Sequence, residues 1–383
     1  MEFVGRFLQI PNRSCFLLGP RGTGKSTWLR DRLPDALYLD LLDPALHRSL
    51  SARPERLRDL LAGSPGKGTV VIDEIQRAPE LLTVVHAILE EPSPSHFVLT
   101  GSSARKLRRG GVDLLGGRAV HRTMHPFMAG ELPEFDLGRA LRIGLLPLVM
   151  DAADPADVLD AYASLYLDEE VRVEGLTRNV GAFTRFLEAI SFSHGAQLNV
   201  SAVARECEVE RKVVAGYIGI LEDLLLAFRL PVFRKRAKRA TVVHEKIYLF
   251  DAGVFRSLRP RGPLDRPEEI DGQALEGLVA QHLRAWAAYS RQDVDLFYWR
   301  TRAGTEVDFV VYGESGLQAF EVKNARKVHS TDLRALRAFR DDYPEAETAV
   351  LHRGSERLRI DDIWCLPIED FLRRMVPDRG LLA

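Results

Sequence analysis

Cysteine is scarce in this 383-residue chain, and the three present, Cys15, Cys207 and Cys365, lie far apart. That spacing suits neither a disulfide framework nor a zinc-ligand set, so buried thiols are expected. Long apolar runs are lacking as well. No stretch approaches the roughly 20 uninterrupted apolar residues of a membrane helix, and no basic-then-apolar leader opens the chain. A cytoplasmic protein with no membrane partner is therefore expected. Neither sign of charge is in excess: 53 Lys and Arg against 54 Asp and Glu leave a net charge of -1. Nothing pulls the whole molecule toward nucleic acid, and any such contact must come from a local basic patch. Repeats and low-complexity segments are absent too. With 46% apolar and 28% charged residues, disorder is no competing description, and the length implies two or three domains.

What is present starts with alternation. Through residue 125, short apolar runs alternate with amphipathic stretches, the pattern of an α/β domain built on a mainly parallel sheet. Strands are expected at Ser14 to Leu18, Ala36 to Asp40, Thr69 to Asp73, His96 to Thr100 and Ala119 to Thr123, with helices at Lys25 to Arg32 and Glu80 to Leu89. From Pro126 to Leu187 the apolar spacing is helical, interrupted at Gly144 and Pro147. Asn199 to Phe228 read as two helices joined at Glu208 to Glu210, with Ser201 as N-cap of the first. Strands at Leu230 to Phe233 and Thr241 to His244 flank the run Arg234-Lys235-Arg236-Ala237-Lys238-Arg239. That order is winged-helix-like, with the basic run on the wing. A further α/β domain follows from Ala274. The expected division is 1–125, 126–245 and 246–383.

Gly19, Pro20, Arg21, Gly22, Thr23, Gly24, Lys25 and Ser26 fit the phosphate-loop pattern between a strand and a helix, with Thr27 next on the helix. Glycines let successive N–H groups turn toward phosphate oxygens, and the helix adds its positive end. Lys25 reaches the terminal phosphates of ATP, and the Ser26 hydroxyl ligates Mg²⁺. Val70-Val71-Ile72-Asp73-Glu74 is an apolar strand ending in two carboxylates: Asp73 for the metal, Glu74 to polarise the attacking water. Ser102, in Thr100-Gly101-Ser102-Ser103, is the hydroxyl expected to sense the γ-phosphate or to orient the water. Among Arg105, Arg108, Arg109 and Arg118, the last is the preferred charge-stabilising arginine.

These motifs, with Val71 to Gln76, Leu99 to Ser103, the Gly117-Arg118 pair, Tyr166 to Glu170 and Lys246 to Asp251, resemble the AAA-type ATPases of bacteria and archaea that carry a C-terminal domain of unknown function. The similarity runs along the whole chain. It implies a P-loop NTPase sheet of the additional-strand, catalytic-glutamate class, with the strand bearing Asp73 not adjacent to the phosphate-loop strand.

In the last third, Glu276 on a helix, Asp308 on a strand and the Glu321-x-Lys323 pair on the next follow the order of restriction-endonuclease-like nucleases. Residues two apart on a strand share a face, so Glu321 and Lys323 are expected together opposite Asp308. Glu276, Asp308 and Glu321 are the candidate Mg²⁺ ligands, with Lys323 positioning a nucleophile. Glu306 shares the face of Asp308, which leaves open which acid binds metal. Arg234, Lys235, Arg236, Lys238 and Arg239 are the candidate phosphate contacts. Tyr298 and Trp299 are candidates for base stacking or for the core.

The overall expectation is an α/β chain: an AAA-type ATPase domain, a helical and winged-helix-like region, and a restriction-endonuclease-like domain. ATP and Mg²⁺ are its cofactors and nucleic acid, DNA above all, its partner. A homo-oligomer sharing an arginine between subunits stays open. The rival reading is a regulatory switch whose last domain only binds a partner; a third, a small-molecule kinase, needs an acceptor pocket that the sequence does not display.

Overall fold

The structure is a computed structural model and describes residues 4–91, 95–103, 114–166, 180–235, 239, 241–263, 265–314 and 316–382. The chain divides into two compact units: Leu8–His125 with Leu221–Leu226, and Met1–Phe7 with Pro126–Ile220 and Ala227–Ala383.

In the first unit five short apolar runs form strands β1 (Cys15–Leu18), β2 (Leu37–Asp40), β3 (Thr69–Asp73), β4 (His96–Gly101) and β5 (Val120–Thr123). All neighbours pair in parallel, in the order β2-β3-β4-β1-β5. As the resemblance implies, β4 separates the Asp73 strand from the phosphate-loop strand. Helices α1 (Lys25–Arg32), α2 (Pro44–Ala52), α3 (Arg56–Ala62) and α4 (Leu81–Glu90) accompany the sheet. The strands are apolar on both faces, as parallel sheets require: Phe16, Val70, Ile72, Phe97 and Leu99 are buried on one face with Leu50, Leu57, Leu81 and Val85, and Cys15, Leu17, Val71 and Val98 are buried on the other. Since all strands run one way, their polar C-terminal ends meet along one edge.

The second unit begins with helices α5 (Leu137–Ile143), α6 (Pro147–Met150), α7 (Pro155–Ala161) and α8 (Val180–Ser191). Next come β6 (Ala196–Gln197), α9 (Val200–Glu206), α10 (Arg211–Asp223), β7 (Ala227–Leu230) and β8 (Lys246–Leu249), with an antiparallel sheet in the order β6-β8-β7. Here the sequence expectations need correcting. Asn199, not Ser201, caps α9, its side chain accepting from Ala202 N. The hairpin strands are Ala227–Leu230 and Lys246–Leu249, whereas 241–244 contributes a single bridge from Thr241 to Thr301. β8 wins because Ile247, Tyr248 and Leu249 are all buried in the sheet. A boundary at 245/246 therefore falls inside a hairpin.

After α11 (Ala252–Leu258), the long helix α12 (Pro267–Tyr289) leads into β9 (Val294–Arg300), β10 (Glu306–Gly313), β11 (Gly316–Lys323), α13 (Arg334–Asp342), β12 (Glu347–His352), β13 (Leu358–Ile360), β14 (Ile363–Pro367) and α14 (Ile368–Arg374). The sheet order is β13-β14-β12-β11-β10-β9. β10 runs antiparallel to both its neighbours, β9 and β11, while β11, β12 and β14 run parallel. The outer edge of β9 is not left bare: Phe233 N donates to Tyr298 O and Val242 N to Arg300 O. Tyr298 and Trp299 are wholly buried, Trp299 edge-on to Phe339, so their role is core packing and not base stacking. All three cysteines are buried and free.

Candidate functional sites

The phosphate loop leaves β1 at Leu18 and enters α1 at Lys25. Gly22 and Gly24 take φ of 81° and 85°, a region that suits glycine. Gly19 is bare for a second reason: a Cβ there would lie 2.5 Å from Met124 O. Thr23 Oγ1 donates to Pro20 O at 2.8 Å, closing the curl. Lys25 Nζ donates to Gly19 O at 2.7 Å and Pro20 O at 3.2 Å, and Gly19 N donates to Gly101 O at 3.2 Å. Pro20 is buried, Ser26 half-buried, Arg21 and Thr27 exposed.

Asp73 and Glu74 follow at the end of β3, where Glu74 takes φ of 61°. One Asp73 oxygen accepts from Thr100 Oγ1, the other from Tyr38 OH at 2.8 Å. The Tyr38 hydroxyl also lies within hydrogen-bonding reach of Ser26, and burial, then Asp73, holds it above the usual phenol range. Tyr38 thus stands between the two groups expected to hold Mg²⁺. It escaped the sequence reading; the signal available was the alternation that sets Tyr38 and Asp40 on one face of β2, where Arg30 lies 3.9 Å over the ring. Glu74 is also held: its N–H donates to Thr100 Oγ1 at 3.0 Å, and its carboxylate accepts from Gln76 Nε2, which reaches Ser102 Oγ at 3.2 Å. A carboxylate and a hydroxyl beside an N–H-lined turn fit a hard oxygen-seeking dication and a phosphate chain.

Arg118 is corrected. It precedes β5, whose Val120 is level with Cys15 at the start of β1, and its guanidinium pairs with Glu90 at the end of α4. Four strand residues, about 13 Å, separate it from the phosphate edge, so it takes no part in its own chain's site. Arg105, Arg108 and Arg109 lie outside the described residues, as do Leu167 to Glu170, Arg236 and Lys238.

In the second unit the expected carboxylates do converge, but around a lysine. Lys246 Nζ, from β8, lies 2.9 Å from Glu276 Oε1, 2.6 Å from Glu306 Oε1 and 3.5 Å from Asp308 Oδ1. Burial works against its charge, and Glu276, Tyr248, Asp308 and Glu306 overcome it, holding the ammonium protonated well above the ordinary range. Tyr248 OH donates to Glu276 Oε1 at 2.6 Å, Val322 N to Asp308 Oδ2 at 2.8 Å, and Arg300 to Glu306 Oε2 at 2.6 Å. Burial pushes Glu276 up to about 7 despite Lys246. Lys323 lies 2.7 Å from Glu321 on the shared face of β11. Burial, then Asp308, raises the Glu321 carboxyl well above its usual range, and the other oxygen of that carboxylate meets no hydrogen-bond donor.

Lys246 thus lies among Glu276, Glu306 and Asp308, three of the carboxylates expected near a metal, while Lys323 pairs with one oxygen of Glu321. Among the described residues no three His, Cys, Asp or Glu are arranged to hold a metal ion. Lys246 and Tyr248 were missed, although a lysine and a tyrosine two apart in an otherwise apolar strand mark a shared polar face.

The basic run is also partly engaged within its own unit. Lys235 lies 3.9 Å over the Tyr312 ring and 3.8 Å from Asp295, and Arg239 pairs with Asp342 at 3.1 Å and Asp341 at 3.3 Å. Arg234 is exposed beside Val232 and His244. No helix among the described residues is long and apolar enough to cross a membrane.

Comparison with known proteins divides the chain into three stretches. Residues 11–133 match the family model described as an AAA domain, 134–265 and 271–371 those of two domains of unknown function, DUF8612 and DUF4143. The uncharacterized proteins Mb2031c of Mycobacterium bovis and Rv2008c of Mycobacterium tuberculosis are each 27% identical over 369 residues, spanning 93% of this chain and 80% of theirs. Among solved structures, the ORC2 protein of Aeropyrum pernix in its ADP form is similar at TM-score 0.31 and 14% identity, over 70% of this chain and 88% of that one. Protein VC1899 of Vibrio cholerae is similar at TM-score 0.20 and 14% identity, over 89% and 96%. Likenesses that loose add nothing to the site. Residues 11–133 thus match an AAA domain model, and their five-stranded parallel sheet with its glycine-rich loop is consistent with a P-loop NTPase architecture.

Proposed function

We propose that the chain is a Mg²⁺-dependent ATPase that acts on nucleic acid, most directly DNA. The observation that carries the ATPase reading is the convergence of the Gly19–Ser26 loop, Asp73 and Glu74 at one sheet edge. The loop N–H groups and Lys25 bind the phosphates; Ser26 and Asp73 would hold Mg²⁺, which supplies neutralising charge and orients the phosphates. Glu74 accepts a proton from the attacking water, and Ser102, tied to Glu74 through Gln76, links that acid to the next strand end.

Support for the nucleic-acid role is topological. The order α8-β6-α9-α10-β7-β8 resembles that of a winged helix, and α12-β9-β10-β11-α13-β12, with Glu276, Asp308, Glu321 and Lys323 in sequence, resembles that of restriction-endonuclease-like folds. The rival reading, a regulatory switch whose last domain only binds a partner, gains from the internal pairing of Lys235, Arg239 and Lys246. ATPase activity measured with and without single-stranded DNA, duplex DNA and RNA at two salt concentrations tests the proposal. Stimulation by one polymer that weakens with salt supports it. ATP turnover indifferent to every polymer favours the switch, and wild-type protein with no Mg²⁺-dependent ATPase overturns both.

A further inference from the structure

The carboxylates of the second unit form a site only if something balances them, and what balances them is on the same chain. Lys246 lies on the central strand of its sheet, level with Gln197 on one side and Leu230 on the other, and its side chain is 2% exposed. From that fixed position it reaches Glu276, Glu306 and Asp308 at once. Two of the remaining oxygens are also taken: Arg300 holds the second of Glu306, and Val322 N the second of Asp308. A hard dication needs several oxygens at short range, and here it would meet an ammonium already seated among them, a like charge in a poorly screened interior.

We infer that Lys246 is the resident cation of the Glu276, Glu306 and Asp308 cluster, so that the C-terminal fold takes no catalytic metal there and does not cut nucleic acid. The inference rests on the nuclease-like reading of this fold and is independent of the ATPase site. It also gives the cluster a positive role: the lysine ties the hairpin of the three-stranded sheet to α12 and β10, fixing the wing against the mixed sheet.

Mn²⁺ titration of the full chain without nucleotide, followed by the loss of the free-ion paramagnetic resonance signal, tests it. Wild type and Asp308→Asn should bind Mn²⁺ alike. Lys246→Met should gain one ion, at least about tenfold tighter than wild type, and lose it again when combined with Asp308→Asn. A wild-type site that Asp308→Asn or Glu321→Gln abolishes overturns the inference, as does a folded Lys246→Met protein that gains nothing. Should Lys246→Met not fold, the wild-type, Asp308→Asn and Glu321→Gln comparison still decides. Labelled DNA and RNA incubated with wild type and Mn²⁺ should stay intact; cleavage that Lys323→Ala removes also overturns it. Dependence on Asp308 separates this signal from any ion at the phosphate loop, and ATPase measured on the same samples shows separately whether that other reading stands.

Discussion

Glu74 is held in a backbone conformation that costs a non-glycine residue about 1–3 kcal/mol, and it is tied down by Thr100 and Gln76. A residue so constrained is set for one direction. Glu74→Gln should keep ATP binding and lower kcat roughly 10²- to 10⁴-fold, read by nucleotide fluorescence titration beside a phosphate-release assay; unchanged turnover removes the base role. Tyr38 acts through Asp73. Tyr38→Phe deletes the hydroxyl that orients the carboxylate, and the Mg²⁺ needed for half-maximal ATPase should rise by roughly 10- to 100-fold, with kcat at saturating Mg²⁺ little changed. A fall in kcat with no shift in Mg²⁺ demand would mean that the phenol touches the chemistry itself. The glycines, the acid pair and the lysine stood out in the sequence because they lie in short motifs of neighbouring residues. Tyr38 was not, since its partners are 12 and 35 positions away in the chain.

At the scale of elements, helix ends carry much of the order. Asn199 caps α9, and Asn199→Ala should lower stability by about 1 kcal/mol in chemical denaturation; if Ser201→Ala costs more, the cap assignment is wrong. Asp251 does more than cap α11. Its carboxylate accepts from Gly253 and Val254 at 2.9 and 3.1 Å and from Leu145 at 2.8 Å, which fastens the turn after α5. Asp251→Ala strands three buried N–H groups and should cost at least about 3 kcal/mol, read as a large drop in the denaturation midpoint; a loss like that of an ordinary cap would mean that the turn reaches other acceptors. The run Lys246 to Asp251 stood out in the sequence, but that its first residue neutralises a distant cluster and its last joins two helical turns depends on which elements pack around it.

For the second unit as a whole, acid stability depends on buried groups of opposite tendency. Burial lowers His194 to about 3 and His282 to about 4, so each imidazole stays neutral in the native state while the unfolded chain protonates near 6.5. Burial raises Asp251 from 3.8 to about 6 and Glu276 from 4.5 to about 7, so each native carboxyl holds a proton that the unfolded one lacks. Between about pH 4.5 and 6 the two imidazoles and two carboxyls cancel, and Glu321, also raised, tips the balance toward stability on acidification. Below about pH 4.5 the unfolded carboxyls take up protons while the native imidazoles still refuse them, and stability should fall steeply. Denaturant unfolding followed by tryptophan fluorescence should give a level or slightly rising midpoint from pH 6.5 to 4.5, then a sharp decline. A midpoint that drops steadily from pH 7 to 5 contradicts this balance.

Sequence alone determined the parallel sheet, its strand limits to within about two residues, the phosphate loop and the acid pair, because each rests on backbone conformation, apolar periodicity or a ligand demand met by neighbours in the chain. Tertiary structure decided the rest. It set Tyr38 between Asp73 and Ser26, put Arg118 at the far ends of the strands, paired Lys235 and Arg239 with acids of their own unit, and seated Lys246 where a metal was expected. The physical reason is that charge satisfaction in a folded interior is a matter of distance in space: a lysine 30 residues before one carboxylate and 62 before another becomes their counterion only once two sheets and a helix have packed.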